Sequence, residues 1–161
     1  MKKLVLVLCF SFLSAQVAAQ EIADYVLVEK SKHQLSLYKS GKVFATYHVV
    51  FGGNPVGHKQ QEGDNKTPEG HYTLDSKNSN STFTKAIHIS YPNTTDISNA
   101  KAKGVSPGGA VMIHGQKNGF SWLSFVSQRI NWTRGCIALS NSDMEQVYKS
   151  INVPISIEIK P

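Results

Sequence analysis

The chain is poor in cysteine, in long apolar runs and in charge, and each shortage excludes something. Its 161 residues include two cysteines, Cys9 and Cys136, too few for a disulfide-stapled scaffold. No apolar stretch reaches the roughly 20 residues that a membrane-spanning helix needs. No internal repeat and no Pro- or Gly-rich linker marks a second domain. No His, Cys, Asp and Glu cluster has metal-ligand spacing, so neither a metal nor another cofactor is expected. Basic residues outnumber acidic ones 17 to 11. They are scattered, with no basic stripe or stacking-aromatic motif, which argues against nucleic acid as a partner. What remains, at 40% apolar and 17% charged, is apolar enough for one folded domain rather than disorder.

The longest apolar run belongs to a processing segment. "MKK" is a basic start, "LVLVLCFSFL" an apolar stretch, and "SAQVAAQ" carries Val17, Ala18 and Ala19 before a cleavage point. This pattern predicts a signal peptide at residues 1–19 and a mature domain at 20–161. "LVLC" at Leu6–Cys9 is a poor lipoprotein signal, because Leu8 is too large before the cysteine and too little apolar sequence precedes it. Cleavage would leave no stable membrane insertion and would remove Lys2 and Lys3, lowering the net charge from +6 to +4. A mildly basic exported domain suits an anionic surface such as a cell wall. The expected location is the periplasm or another exported, wall-associated site.

Alternating apolar residues predict strands at Tyr25–Glu29, His33–Tyr38 and Val43–Phe51, joined as two hairpins by "SKH" and "KSGK". A long loop dense in turn residues follows, Gly52–Gly70, and such loops are usually functional or mobile. "HYTLDS" and "KAIHISYPN" read as strands. "TTDISNAKAKG" suits a short helix with Thr95 or Asp96 at its N-cap and Gly104 at its end. "AVMIHG" and "GCIALS" are short apolar strands. Between them Phe120, Leu123, Val126 and Ile130 recur near helical spacing, predicting a helix. Ser142 is the expected N-cap of "DMEQVYKSI", with Glu145 at its capping-box position. "VPISIEI" closes as a strand. The fold class is mainly β with small helices.

Two of these strands end on reactive residues. "VMIHG" delivers His114 at a strand end, and "TRGCIAL" delivers Cys136 at a strand start. The intervening residues are long enough to bring both strands side by side, and a Cys–His pair on adjacent strands is a workable nucleophile with its base. A free thiol with a pKa of about 8.5 is mostly protonated at neutral pH and needs such help. Gly135 lets the chain approach a substrate carbonyl, and backbone N–H groups around Gly135 and Cys136 are candidates for an oxyanion hole. Arg134 adds positive charge that favours thiolate and suits a substrate carboxylate. By residue type alone, a buried inert Cys136 acting as a small apolar side chain stays open. His88 is expected to be structural, and His33, His48, His58 and His71 to lie on turns or solvated faces. Glu62 and Asp64 are expected to be solvated. Trp122, Phe125 and Trp132 are candidates for an aromatic cleft wall, and Tyr91 for the cleft rim.

Four motifs carry a family resemblance. "IHG" at 113–115 and "TRGC" at 133–136 resemble the His-Gly and Ser/Thr-x-Gly-Cys stretches of the L,D-transpeptidase (YkuD-type) catalytic domain. "KTPEGHY" at 66–72 is similar to its Thr-Pro-x-Gly-aromatic stretch, and "VLVEKSKHQLSLYKSGKVFATYHVVFGG" to its opening hairpins. The resemblance spans essentially the whole mature chain in the same order. It is nearest to the YafK-like subgroup, in which an aspartate often stands where Asn131 does here. It implies a single β-sandwich-type domain, Cys136 as acylated nucleophile, His114 as its base, and Gly115 as the carbonyl holding the imidazole tautomer. It implies also that Thr133, Arg134 and Gly135 line the substrate and oxyanion approach. Relatives often carry His at position 134 and Arg or Asn at position 138. Here Arg134 and Ala138 put the usual substrate preference in question.

The implied substrate is a peptidoglycan stem peptide, acylating Cys136 as a thioester. An amine acceptor gives cross-linking, D-amino acid exchange or lipoprotein attachment. Water gives an L,D-carboxypeptidase, or an amidase cutting a stem-peptide or lipoprotein–peptidoglycan bond. A peptidoglycan-linked lipoprotein is thus a further expected partner. A cell-wall binding module with a degenerate site is the rival from another class, and intact His114, Gly135 and Cys136 argue against it. A papain-type protease needs the cysteine first in the chain and the histidine far downstream, the reverse of this order.

Overall fold

A computed structural model describes residues 20–161, so the expected signal peptide at 1–19 lies outside the described residues. Eight strands form one sheet: β1 (Tyr25–Glu29), β2 (Gln34–Lys39), β3 (Lys42–His48), β4 (Gly70–Asn78), β5 (Ala86–Ile89), β6 (Met112–His114), β7 (Ile137–Ala138) and β8 (Ile155–Lys160). Their spatial order is β3-β2-β1-β8-β4-β5-β6-β7. The two predicted hairpins are the antiparallel pairs β1–β2 and β2–β3. Three small helices complete the domain, α1 (Thr94–Ala102), α2 (Ser124–Ser127) and α3 (Asn141–Ser150). Among the described residues no helix is long and apolar enough to cross a membrane.

The alternation that predicts the strands also sets their register. Val26 and Val28 of β1, and Ile155, Ile157 and Ile159 of β8, turn inward, with polar or half-buried residues between them. They share one core with Leu35, Leu37, Leu74, Ile87, Ile89, Ile113 and Ile137 of the other strands and with Met144, Val147 and Ile151 around α3. A side chain of this size gains roughly 1.5–3 kcal/mol on full burial, so a one-residue register slip that turned this set outward would undo the fold.

The sheet curls until its two edges meet. The chain running on from edge strand β3 reaches the other edge, where Val50 and Ala138 exchange N–H···O=C bonds of 3.0 and 2.8 Å. Gly53 N–H donates to the Thr133 carbonyl at 3.0 Å, and Thr133 N–H to Phe51 at 3.1 Å. Residues 49–53 therefore cover what would be an open edge at β7. The candidate site lies at this seam.

Three local expectations are corrected. The N-cap of α1 is Asn93, two or three residues earlier than predicted, because its side chain accepts from Thr95 and Asp96 N–H while the Asp96 carboxylate accepts from the Asn93 N–H. The N-cap of α3 is Ser140, not Ser142, and its hydroxyl accepts from Asp143 N–H at 3.2 Å; Asp143 rather than Glu145 stands three residues on. The helix expected from Phe120, Leu123, Val126 and Ile130 is only a 3-10 turn at Ser121–Leu123 followed by one α turn. Its large apolar residues, Phe120, Trp122, Phe125, Val126 and Ile130, are exposed rather than packed inward.

Candidate active site

Strands β6 and β7 are parallel neighbours, with Ile113 opposite Ile137 and His114 opposite Ala138. Cys136 immediately precedes β7, two residues before Ala138, so the period-2 alternation turns it to the face that His114 occupies. The residues between the two strands thus act as the crossover that the sequence required. Cys136 is unpaired and half-buried. Its Sγ–H lies 3.8 Å from the Ala110 carbonyl, a weak contact.

His114 is buried, and its Nδ1 lies 2.7 Å from the Gly115 carbonyl oxygen. A carbonyl only accepts, so Nδ1 carries the proton and Nε2 of the neutral ring is left with its lone pair. Burial holds the imidazole below the usual histidine range, and the Gly115 bond works against that shift without reversing it. Phe83 packs on the ring with centroids 4.6 Å apart, and Trp132 meets it edge-on at 5.8 Å. Gly115 is itself fixed, since its N–H donates to Phe83 and Lys85 carbonyls at 3.1 and 3.3 Å.

Burial pushes the Cys136 thiol above its ordinary range, and a hydrogen bond from the Met112 backbone and the charge of Lys59 pull it partly back. A raised thiol beside a lowered imidazole gives a neutral resting pair, thiol and free base, rather than a standing thiolate–imidazolium pair. Such a pair suits general-base activation at the moment of attack.

The turn before Cys136 is built by Thr133. Its hydroxyl donates to the Cys136 carbonyl at 2.7 Å and accepts from Gly135 N–H at 3.1 Å. Of the candidate oxyanion donors around Gly135 and Cys136, the Gly135 N–H is thereby committed to Thr133. The N–H groups of Arg134 and Cys136 have no protein acceptor among the described residues. Gly135 has φ +127°, and a Cβ there would meet the Lys66 carbonyl. Arg134 is exposed and makes no ion pair among the described residues. Asn131 accepts from Phe51 N–H at 2.9 Å through its amide oxygen, the same bond an aspartate in its place would accept.

The long loop is packed against this turn. Thr67, fully buried, accepts from Gly52 N–H at 3.2 Å, and Asn54 N–H donates to Asn65 at 3.1 Å. Asp64 is not solvated as expected: its carboxylate accepts from Lys59 Nζ at 2.8 Å and from the N–H groups of Gln60, Gln61 and Lys66. These bonds hold its pKa below the usual carboxylate range although burial opposes them. Glu62 is exposed as expected, and its N–H donates to Ser106 at 2.8 Å, which ties the loop to the turn leading to Ala110.

Other expectations resolve as follows. His88 is tied to Asp75 of the neighbouring strand at 2.8 Å and stands opposite Met112 of β6. His33 occupies a left-handed turn position, and His48 and His71 are exposed. His58 is not merely solvated, because its Nε2 bonds Asp96 at 2.9 Å and its Nδ1 accepts from Glu69 N–H. Of the three proposed wall aromatics only Trp132 reaches the site; Trp122 and Phe125 are 74% and 68% exposed. Tyr91 is buried, not on a rim, and donates to the Pro107 carbonyl at 2.9 Å. Residue-level reasoning missed Lys59 and Phe83. The length of the loop was the only signal for the first, and nothing local marks the second.

A family model described as the L,D-transpeptidase catalytic domain (YkuD) matches residues 23–158. A curated protein of Escherichia coli K12, provisionally named L,D-transpeptidase YafK, is 29% identical over 133 residues, which is 79% of this chain and 46% of that protein. Among solved structures, the helical cell shape determining protein Pgp2 of Campylobacter jejuni superposes with a TM-score of 0.65 at 29% identity, covering 85% of this chain and 48% of that one. L,D-transpeptidase 1 of Mycobacterium tuberculosis, at 17% identity and a TM-score of 0.54, shares the fold, covering 86% of this chain and 62% of that one. The chain spans about half the length of the curated relatives it matches.

Proposed function

The chain belongs to the L,D-transpeptidase catalytic domain family, and on that premise we propose that it is an exported, cysteine-dependent acyltransferase acting on peptidoglycan stem peptides. The observation that carries the reading is the 2.7 Å bond from His114 Nδ1 to the Gly115 carbonyl, which leaves Nε2 as a base on the strand beside Cys136.

In this reading Cys136 Sγ attacks the carbonyl of the stem residue that precedes the terminal D-amino acid, and its proton passes to His114 Nε2. The carbonyl oxygen becomes an anion, and the N–H groups of Cys136 and Arg134, without a protein acceptor among the described residues, are the donors assigned to it. Collapse breaks the amide bond, the leaving amine takes the proton from His114, and the acyl group remains on sulfur as a thioester. An acceptor amine then attacks, giving its proton to His114, and the thiol is regenerated. Acceptors would be another stem, a free D-amino acid or a lipoprotein amine. Water in the acceptor's place gives tripeptide and makes the protein a carboxypeptidase. The signal peptide at 1–19 and a periplasmic, wall-associated location belong to the same proposal. Arg134, exposed and without an ion-pair partner among the described residues, is assigned to a substrate carboxylate.

The test is mass spectrometry of the purified protein incubated with disaccharide-tetrapeptide muropeptides, beside Cys136→Ala. Cross-linked dimers or exchange of the terminal D-residue, absent from the variant, are expected. Tripeptide alone would redefine it as a hydrolase. An unchanged substrate pool would count against the reading and towards a wall-binding module.

A further inference from the structure

Lys59 is a buried cation with no part in the reaction as written above. Its side chain is 4% exposed, and Nζ donates to Asp64 at 2.8 Å and to the Gln61 carbonyl at 3.0 Å. An ammonium carries three N–H bonds, so one remains. Nζ lies 3.9 Å from the point a Cβ of Gly135 would occupy. With Arg134, Glu62, Gly63, Gly108 and Gly109 it walls a cavity of about 260 Å³. Burying an ammonium is costly, and a neutral side chain could brace a loop equally well. A cation kept dry against the turn that carries the thiol calls for an electrostatic reason.

We propose that Lys59 is a positioning residue of the Cys136 site: its ammonium, held against the Gly135–Cys136 turn by Asp64, supplies the fixed positive charge that favours sulfur as the anion during attack. The inference rests on Cys136 being the nucleophile. The charged and titratable groups on the elements beside the thiol are His114 of β6, His88 of β5 opposite Met112 and tied to Asp75, and Lys59, Glu62 and Arg134 of the cavity wall, with Asp64 bound to Lys59. Of these, Lys59 is the one whose charge lowers the thiol's pKa. Arg134, the cation that the sequence favours for this role, is exposed, and its field is weakened by water and salt. The thiol proton still goes to His114 Nε2, so Lys59 acts through charge alone.

Two variants that break the same ion pair separate charge from bracing. Lys59→Met removes the cation, whereas Asp64→Asn keeps it. The readout is the pH dependence of Cys136 alkylation by iodoacetamide, which needs no peptidoglycan. Lys59→Met is expected to move the profile to higher pH and to slow alkylation about tenfold at pH 7. Asp64→Asn is expected not to move it upward, and Lys59→Arg to stay within about twofold of the parent, since each retains the cation. Lys59→Gln serves in place of Lys59→Met should the latter not fold. An unmoved profile without the cation, or Asp64→Asn slowed as much as Lys59→Met, would overturn the proposal and leave Lys59 a loop brace. If the shift appears but no variant or parent turns over muropeptide, the transpeptidase reading fails while the charge assignment stands.

Discussion

A Cβ on Gly135 would stand 2.6 Å from the carbonyl oxygen of Lys66. The long loop therefore lies directly on the turn that precedes Cys136, with no room for a side chain between them. The obstacle is backbone, which cannot swing aside, and φ at Gly135 is +127°, where any other residue is strained.

Gly135→Ala is expected to destabilise the fold by about 2–4 kcal/mol and to lower turnover by at least about 100-fold. Denaturant unfolding and muropeptide turnover read the two effects. Wild-type activity in a stable Gly135→Ala protein would show that the loop does not position the thiol.

Cys136→Ala should separate chemistry from folding. Sγ makes only weak contacts, 3.8 Å to the Ala110 carbonyl and one with the Met112 backbone, so the variant should unfold within about 1 kcal/mol of the parent, since a thiol that bonds nothing strongly behaves as a small apolar group. Thioester formation should vanish. A variant that loses its fold instead would assign Cys136 to the core.

His114 gives a pH dependence with a definite sign. It is buried with its folded pKa depressed, mainly by desolvation. The unfolded chain therefore binds the proton first, and stability should fall as pH drops below the ordinary histidine value of about 6.5 and continue falling to the lower folded pKa. The acid limb of kcat/KM should likewise lie below about pH 6.5, because the free base persists there. Replacing His114 with Gln should flatten that part of the stability profile. A stability that rises on acidification through this range would contradict the buried neutral imidazole.

Asp96 holds the far end of the long loop. It is buried and accepts from His58, from Tyr72 at 2.9 Å and from Asn93 N–H at 3.0 Å. Asp96→Ala should cost about 3 kcal/mol by stranding those donors, and Tyr72→Phe about 1–2 kcal/mol. Equilibrium unfolding of both variants checks the order of the two losses.

Trp122 and Phe125 should be nearly silent in the fold. Both are mostly exposed, so Trp122→Ser and Phe125→Ser should shift unfolding by no more than about 0.5 kcal/mol. A loss of several kcal/mol in the isolated protein would mean that the turn packs inward in solution.

The sequence by itself determined the strands, because Val, Ile and Leu alternate with polar residues wherever one face is buried: Val26, Val28, Ile155, Ile157 and Ile159 were legible from period alone. It also determined where the chemistry stands along the chain, since His114 ends one apolar run and Cys136 begins the next. Periodicity failed between them. Phe120, Leu123, Val126 and Ile130 repeat like a core helix, yet spacing cannot say whether a partner face exists, and among the described residues Phe120, Val126 and Ile130 stay exposed. The helix caps lie two or three residues before the predicted ones because several Asn, Ser, Thr and Asp side chains compete for the same first-turn N–H groups, and only backbone geometry chooses. Tertiary structure alone decided what surrounds the thiol. Curling of the sheet brings residues 49–53 to the β7 edge, and the loop then folds back to place Lys66 over Gly135 and Lys59 against it. Those contacts join residues about 70 to 90 positions apart, beyond the reach of any local pattern.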